Sequence, residues 1–436
     1  MGKTDVRQKL LRALISAILA ALTLIYPALG AALPVATDSQ SVLMLSLDTG
    51  ERVFSKGADV RRPPASLTKI MTALVTLESC SDIESEKITV PETELFKEII
   101  EDGGVTMDLK TGESLSVKDL LYAMMLSSAC DAAQLLAWHF GGGDVNAFVK
   151  KMNDKAEALG MENTNFVNPH GLEAPLHYSS AEDIALCAIE ALKNPAFSEI
   201  VSHYSYQIPE TEKSKARSVY YTIAMLNPDG KLYYPGLVGV KSGYTSQAGR
   251  CLVTTAERDG SRYLLVVMGA NLTTIDSNNL AYTDTAAIYD YAFSNLETRT
   301  LIEADKEYAT VTVNGSDVNE VSLKADKDVS VICQKGAEPR YVVNVPEELN
   351  APVEAGKLGT LEVYVSDELV AGADLINDVE ALPVSADPAN KTTPYTLAPQ
   401  GNIFTNDHVT VILLIVLAVV ILAAVFTARL TKKKTK

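Results

Sequence analysis

PPASLTKIM, residues 63–71, sets Ser66 and Lys69 three positions apart, directly behind two prolines and at the head of the apolar run IMTALVTLES. On a helix these two side chains share one face, one turn apart and within reach of each other. A serine hydroxyl is a weak nucleophile until an adjacent base takes its proton. A lysine serves as that base when burial or a neighbouring charge lowers its pKa towards neutrality. The helix N-terminus helps twice: its positive end disfavours a second cation, and its free N–H groups can hold an oxyanion. The spacing by itself is common, so the rest of the chain has to decide its meaning.

The chain has 436 residues, 47% of them hydrophobic, which is room for two ordinary domains. Part of that hydrophobicity sits at the ends. A basic MGKTDVRQKLLR leads into ALISAILAALTLIYPALGAA, an apolar run ending in small residues. This layout predicts a secretory signal over residues 1–32. Val409 to Ala428 is a charge-free stretch long enough to span a bilayer as one helix, and ARLTKKKTK follows it. Lysines on the cytoplasmic side would place everything before Val409 outside the cell. The expected organisation is therefore an exported body over 33–382, a Pro- and Asn-containing stalk over 383–408, a membrane helix over 409–428 and a basic tail over 429–436. The expected location is the cell membrane, crossed once, with the lipid bilayer as a partner of the last helix.

The formal net charge is −17, with no basic run outside the tails, which speaks against nucleic acid as a partner. Five cysteines are scattered without C-x-x-C spacing, and no H-x-x-x-H pair occurs. Neither a disulfide framework nor a metal site follows.

SVLMLSLDTGERVFS (41–55) reads as two strands joined at Asp48, Thr49 and Gly50. Helical patterns follow the Ser66 helix: SVKDLLYAMML, CDAAQLLAWHF, VNAFVKKMNDKAEALG and SAEDIALCAIEALK, the last N-capped by Ser180. Strands return in VGVKSGYT, GRCLVTTAE and RYLLVVMGA, the last two turning at Asp259-Gly260. TDTAAIYDYAFSNLE is an amphipathic helix that closes the domain over 33–298. Short alternating runs such as ATVTV, YVVNV and LEVYV then predict an all-β domain over 299–382. Strands, then helices, then strands make the first domain α+β, with helices packed on a mostly antiparallel sheet.

Two further stretches give the serine–lysine pair its context. MLSSACDAA places Ser128, Cys130 and Asp131 at a junction between two helical patterns, and VGVKSGYTSQAGRCLV places Lys241, Ser242 and Gly243 on a strand. S-x-x-K, then a second serine in an S-x-N-like position, then K-[ST]-G is the ordered triple of the penicillin-recognising serine enzymes. With RRPPASLTKIMTAL, NFVNPHGL, HYSSAEDIALCA and VKSGYTSQAGRCLVTTAERDG, the chain resembles the serine D-Ala-D-Ala carboxypeptidases, the low-molecular-mass penicillin-binding proteins. The resemblance runs from about Ser41 to Asn295, and more weakly through PVEAGKLGTLEVYVSDELVAGADLI. It implies a β-lactamase/transpeptidase-like catalytic domain. Ser66 would be the acylated nucleophile, Lys69 its base and Ser128 the proton relay. Lys241 and Ser242 would bind the substrate's terminal carboxylate. Gly243 would keep the strand clear for substrate, and the N–H groups of Ser66 and Tyr244 would form the oxyanion hole. The implied substrates are peptidoglycan stem peptides, with β-lactams as covalent inhibitors and no cofactor.

Two departures stand out. K-S-G replaces the commoner K-T-G and keeps the hydroxyl. Cys130 stands where S-x-N would have Asn, and a thiol hydrogen-bonds far more weakly than an amide. The same scaffold also carries β-lactamases and transpeptidases. MENTNF is a poor match to the E-x-x-L-N of the former, and the latter differ only in what accepts the acyl group. A D-Ala-D-Ala-binding wall-assembly protein with weak chemistry is the reading that Cys130 favours. Among other residues, His170 reads as a loop-shaping residue, Tyr122, Trp138 and Cys251 as core, and Arg250 as a conceivable second carboxylate ligand.

Overall fold

Alternating apolar residues make β1 (Ser41–Ser46) and β2 (Arg52–Lys56) the hairpin expected, with Gly50 in the left-handed region at its turn. The computed structural model describes residues 35–271 and 280–383. The expected signal, membrane helix and basic tail, and the stalk from residue 384 on, lie outside the described residues. Among the described residues no helix is long and apolar enough to cross a membrane.

Two short ribbons, β3 (Lys87–Thr89) with β4 (Ser114–Ser116) and β5 (Ser205–Ile208) with β6 (Arg217–Tyr220), sit among the helices. β7 (Leu237–Thr245), β8 (Gly249–Arg258) and β9 (Ser261–Ala270) complete a five-stranded sheet of order β2-β1-β9-β8-β7, antiparallel throughout. Asp259 and Gly260 both take positive φ, the two-residue turn that suits strand twist. β7 is an edge strand, so one side of its backbone has no sheet partner among the described residues.

The helices are α1 (Thr68–Ser79), the short α2 (Lys97–Glu101), α3 (Val117–Leu126), α4 (Cys130–Phe140), α5 (Val145–Ala158), α6 (Ala181–Leu192), α7 (Pro195–Ser202) and α8 (Leu280–Asn295). Ser180 caps α6 by accepting from Asp183 N at 3.1 Å, as its sequence position suggested. α1 is buried without interruption from Thr68 to Leu77 and packs against α3, α4, α5 and α6. A helix buried on all sides holds its first turn rigidly, and that turn carries Lys69 and continues the short turn that carries Ser66. β9 is buried at residues of both parities because α6 and α8 both pack on it.

β10 (Leu296–Ile302) follows α8 without a break, so the chain enters its second sheet slightly ahead of the boundary expected at 298/299. β10 pairs with β13 (Val329–Gln334). A six-stranded sheet joins β11 (Glu307–Asn314), β12 (Glu320–Ala325), β14 (Arg340–Asn344), β15 (Glu348–Asn350), β16 (Gly356–Val365) and β17 (Glu368–Asn377) around a separate apolar core. The result is an α+β domain followed by an all-β domain. Glu51 of the first accepts from Ile332 N of the second at 2.9 Å.

Candidate active site

Ser66 lies in a single 3-10 turn, Ala65–Leu67, that runs directly into α1. Its Oγ accepts from Lys69 Nζ at 3.0 Å and from Ser128 Oγ at 3.0 Å. Three side chains from positions as much as 62 apart in sequence thus meet at one oxygen. Lys69 also donates to the His170 carbonyl at 2.5 Å and stands 3.4 Å from Cys130 Sγ. Burial lowers the pKa of this ammonium, with Cys130 and Asp131 partly opposing the shift. A lysine pushed that way, touching a serine hydroxyl, is equipped to take its proton.

Two strained positions aim the serines. Ala65 has φ 49° and Ser128 has φ 65°, both in the left-handed region. Ala65 is held there by a relay that the sequence does not advertise. Val167 N–H donates to His177 Nδ1 at 3.0 Å, leaving Nε2 as the protonated nitrogen that meets Thr68 Oγ1 at 2.8 Å. Thr68 Oγ1 in turn donates to the Ala65 carbonyl at 2.8 Å. Burial lowers His177 to about 4 and His170 to about 3, with the charge of Lys69 adding to both. Both rings are therefore neutral at ordinary pH.

Two glycines let other segments close on the same turn. A Cβ on Gly171, which has φ +85°, would lie 1.9 Å from the Ala65 carbonyl oxygen. A Cβ on Gly243 would lie 3.0 Å from Ser66 N and 3.1 Å from Ala65 Cβ. Gly243 was expected to clear the strand for substrate. Its missing side chain also makes room for the Ser66 turn, bringing β7 against it.

Asp131, one residue past Cys130, is buried and accepts from the backbone N–H of Met107 at 3.0 Å and Leu109 at 3.2 Å. Cys130 N donates to Val105 O at 2.7 Å. The 102–109 loop is thereby tied to the start of α4. It borders an open cleft of about 1010 Å³ whose wall also includes Ser66, Ser128, Cys130, Gly171 and Tyr244.

Lys241 is placed differently from its expected role as the cation that touches a carboxylate. It is fully buried, does not line that cleft, and donates to the Ser242 carbonyl at 3.0 Å. Burial lowers its pKa well below the ordinary range, and the like charge of Lys69 lowers it further. Ser242 Oγ shares a hydrogen bond of 2.6 Å with Thr222 Oγ1. Arg250, opposite Tyr244 on β8 and diagonal to Ser242, stacks its guanidinium 4.6 Å from the centre of the Tyr244 ring. Its buried Nε has no hydrogen-bond partner among the described residues. Among the described residues no cluster of His, Cys, Asp and Glu suits a metal ion.

A family profile described as D-alanyl-D-alanine carboxypeptidase matches residues 29–272, and one described as penicillin-binding protein 5, C-terminal domain, matches residues 296–381. The chain belongs to the D-alanyl-D-alanine carboxypeptidase family. It is a serine peptidase, a hydrolase. It is 32% identical over 342 residues to the D-alanyl-D-alanine carboxypeptidase DacF of Bacillus subtilis, covering 77% of this chain and 84% of that one. Penicillin-binding protein 5 of Haemophilus influenzae superposes with a TM-score of 0.63 at 27% identity, over 80% of this chain and 99% of that one. A cysteine-to-asparagine mutant of a Streptomyces DD-transpeptidase matches 60% of this chain and 99% of its own, with a TM-score of 0.54 at 28% identity.

Proposed function

We propose that the chain is an exported, membrane-anchored carboxypeptidase that removes the terminal D-Ala from peptidoglycan stem peptides through an acyl-enzyme on Ser66. The observation that carries this reading is the meeting of Lys69 Nζ and Ser128 Oγ at Ser66 Oγ, each at 3.0 Å. Lys69 takes the Ser66 proton as Oγ attacks the carbonyl of the penultimate D-Ala. The N–H groups of Ser66 and Tyr244 hold the oxyanion. Ser128 passes a proton to the departing D-Ala amine, and water then cleaves the ester. A β-lactam enters the same path and stops at the ester.

Ser242, paired with Thr222 and backed by Arg250, is the carboxylate end of the site. Buried Lys241 supports it from beneath. The β domain would set the catalytic body away from the membrane, to which residues 409–428 would fasten it.

One observation favours a second reading, in which an amine rather than water takes the acyl group. Cys130 replaces the usual amide, and a DD-transpeptidase among the structural relatives was solved with a cysteine changed to asparagine. Fluorescent penicillin labelling followed by peptide mapping tests the nucleophile. D-Ala release measured with and without an added amine acceptor separates the two readings. Absence of label on Ser66 overturns both.

A further inference from the structure

Arg61 and Arg62 stand on the wall of the same cleft, in a chain of net charge −17, and neither forms an ion pair among the described residues. Their bonds go to neutral acceptors. Arg61 donates from Nε to Asn163 Oδ1 at 3.1 Å and from Nη2 to the Glu162 carbonyl at 3.3 Å, and its guanidinium lies 4.8 Å from the centre of the Tyr178 ring. Arg62 donates from Nε to Ser41 Oγ at 2.8 Å and from Nη1 to Gln40 Oε1. Its backbone is pinned to Ser179 from both sides, at 2.7 and 2.9 Å. One terminal nitrogen of each guanidinium is left without a hydrogen-bond partner among the described residues. Arg62 also borders a side recess of about 190 Å³, together with Gln40, Tyr244, Gln247 and Asn271. A fixed cation ringed by neutral hydrogen-bonding groups is suited to a carboxylate.

The direction of the substrate says which carboxylate. This step rests on the carboxypeptidase reading above. A peptide that pairs antiparallel with edge strand β7, its terminal carboxylate at Ser242 and its reacting carbonyl at Ser66 and Gly243, must run its acyl arm towards Tyr244 and Gln247. From Gly243 two residues on to Thr245, between Tyr244 and Ser246 on the rim of that recess, is about 7 Å at roughly 3.3 Å per residue. That distance brings the residue two places ahead of the scissile D-Ala to the recess beside Arg62. Glu173, the acid at this end, is occupied by Gln247 N at 2.7 Å and Ser246 Oγ at 3.1 Å.

We propose that Arg62, supported by Arg61, binds a free carboxylate on the acyl side of the substrate, about two residues ahead of the scissile D-Ala. The enzyme is thereby selective for stem peptides whose carboxylate at that place is not amidated.

The test uses two synthetic peptides ending in D-Ala-D-Ala that differ only there, as carboxylate or carboxamide. The wild type is expected to favour the carboxylate by on the order of tenfold in kcat/KM, the scale of one charge-assisted contact. Arg62→Gln should bring that ratio near one and Arg61→Gln should lower it part-way, with salt weakening the wild-type preference. Penicillin acylation of Ser66 serves as the check on folding. If Arg62→Gln does not fold, Arg61→Gln and the salt dependence still decide. Equal use of both peptides by the wild type overturns the proposal, as does a preference that survives in the folded variants. Release of D-Ala from neither peptide would instead overturn the carboxypeptidase reading.

Discussion

Cys130 Sγ lies 3.4 Å from Lys69 Nζ, on the same ammonium that touches the Ser66 hydroxyl. The thiol thus occupies the place of an amide without displacing the base. A lost hydrogen bond to substrate costs about 1–3 kcal/mol, roughly five- to a hundred-fold in rate, which leaves most of catalysis in place. Wild-type protein should release D-Ala measurably, and Cys130→Asn should match or exceed it. Activity that appears only in Cys130→Asn would make the natural chain a binder that has lost its chemistry.

Gly171 is the position least able to carry a side chain. Alanine there pays roughly 1–2 kcal/mol for its left-handed backbone and pushes on the Ala65 carbonyl besides. Gly171→Ala should therefore slow penicillin acylation of Ser66 more than tenfold. The thermal midpoint should fall by several degrees, at about 2–4 °C per kcal/mol for a domain of this size. Unchanged acylation would show that the turn tolerates a shifted Ala65.

The sequence shows the strands of the five-stranded sheet, the long helices and the grouping of Ser66, Lys69 and Ser128, because short spacings and periodicity leave a local trace, whereas the ribbons β3 to β6 are too short to leave one. S-x-x-K spans the short turn that leads into α1 and the start of that helix, and Asp259-Gly260 is one turn between β8 and β9. It did not reach the relay from Val167 through His177 and Thr68 to Ala65, whose ring joins residues 109 apart and fits no motif. The short α2 and α7 were missed for want of enough residues to show a period. Lys241 was assigned a role by motif, but its depth behind β7 is set by packing that no spacing records.

The relay has a pH signature. His177 is lowered from 6.5 to about 4, so the fold favours the neutral ring. Its contribution to stability is complete above pH 6.5 and is lost as pH falls through about 4. Urea midpoints measured from pH 7 to 4 should decline, and His177→Gln should start lower and decline less. Parallel curves for the two proteins would place the acid sensitivity elsewhere.

Arg250 should read the terminal carboxylate. Its guanidinium, stacked on Tyr244 with Nε unsatisfied, has no anionic partner among the described residues. Arg250→Gln should raise KM for peptides with a free C-terminal carboxylate on the order of tenfold. The same change should matter little for a C-terminally amidated analogue. Equal losses on both would assign Arg250 to packing of the β7–β8 edge.

Lys69 decides the pH dependence of the chemistry itself. Burial lowers its pKa, which puts more of the neutral amine beside Ser66 as pH rises. Acylation by penicillin needs no carboxypeptidase substrate, so it reports this step alone. Its rate constant should fall as pH drops below the lowered lysine pKa and level off above it. In Lys69→Arg the side chain cannot lose its proton, so label should be reduced by several orders of magnitude at every pH. Circular dichroism on that variant tells lost chemistry from lost fold. A folded Lys69→Arg protein that is labelled at the wild-type rate would remove Lys69 from the role of base and pass it to another group near Ser66.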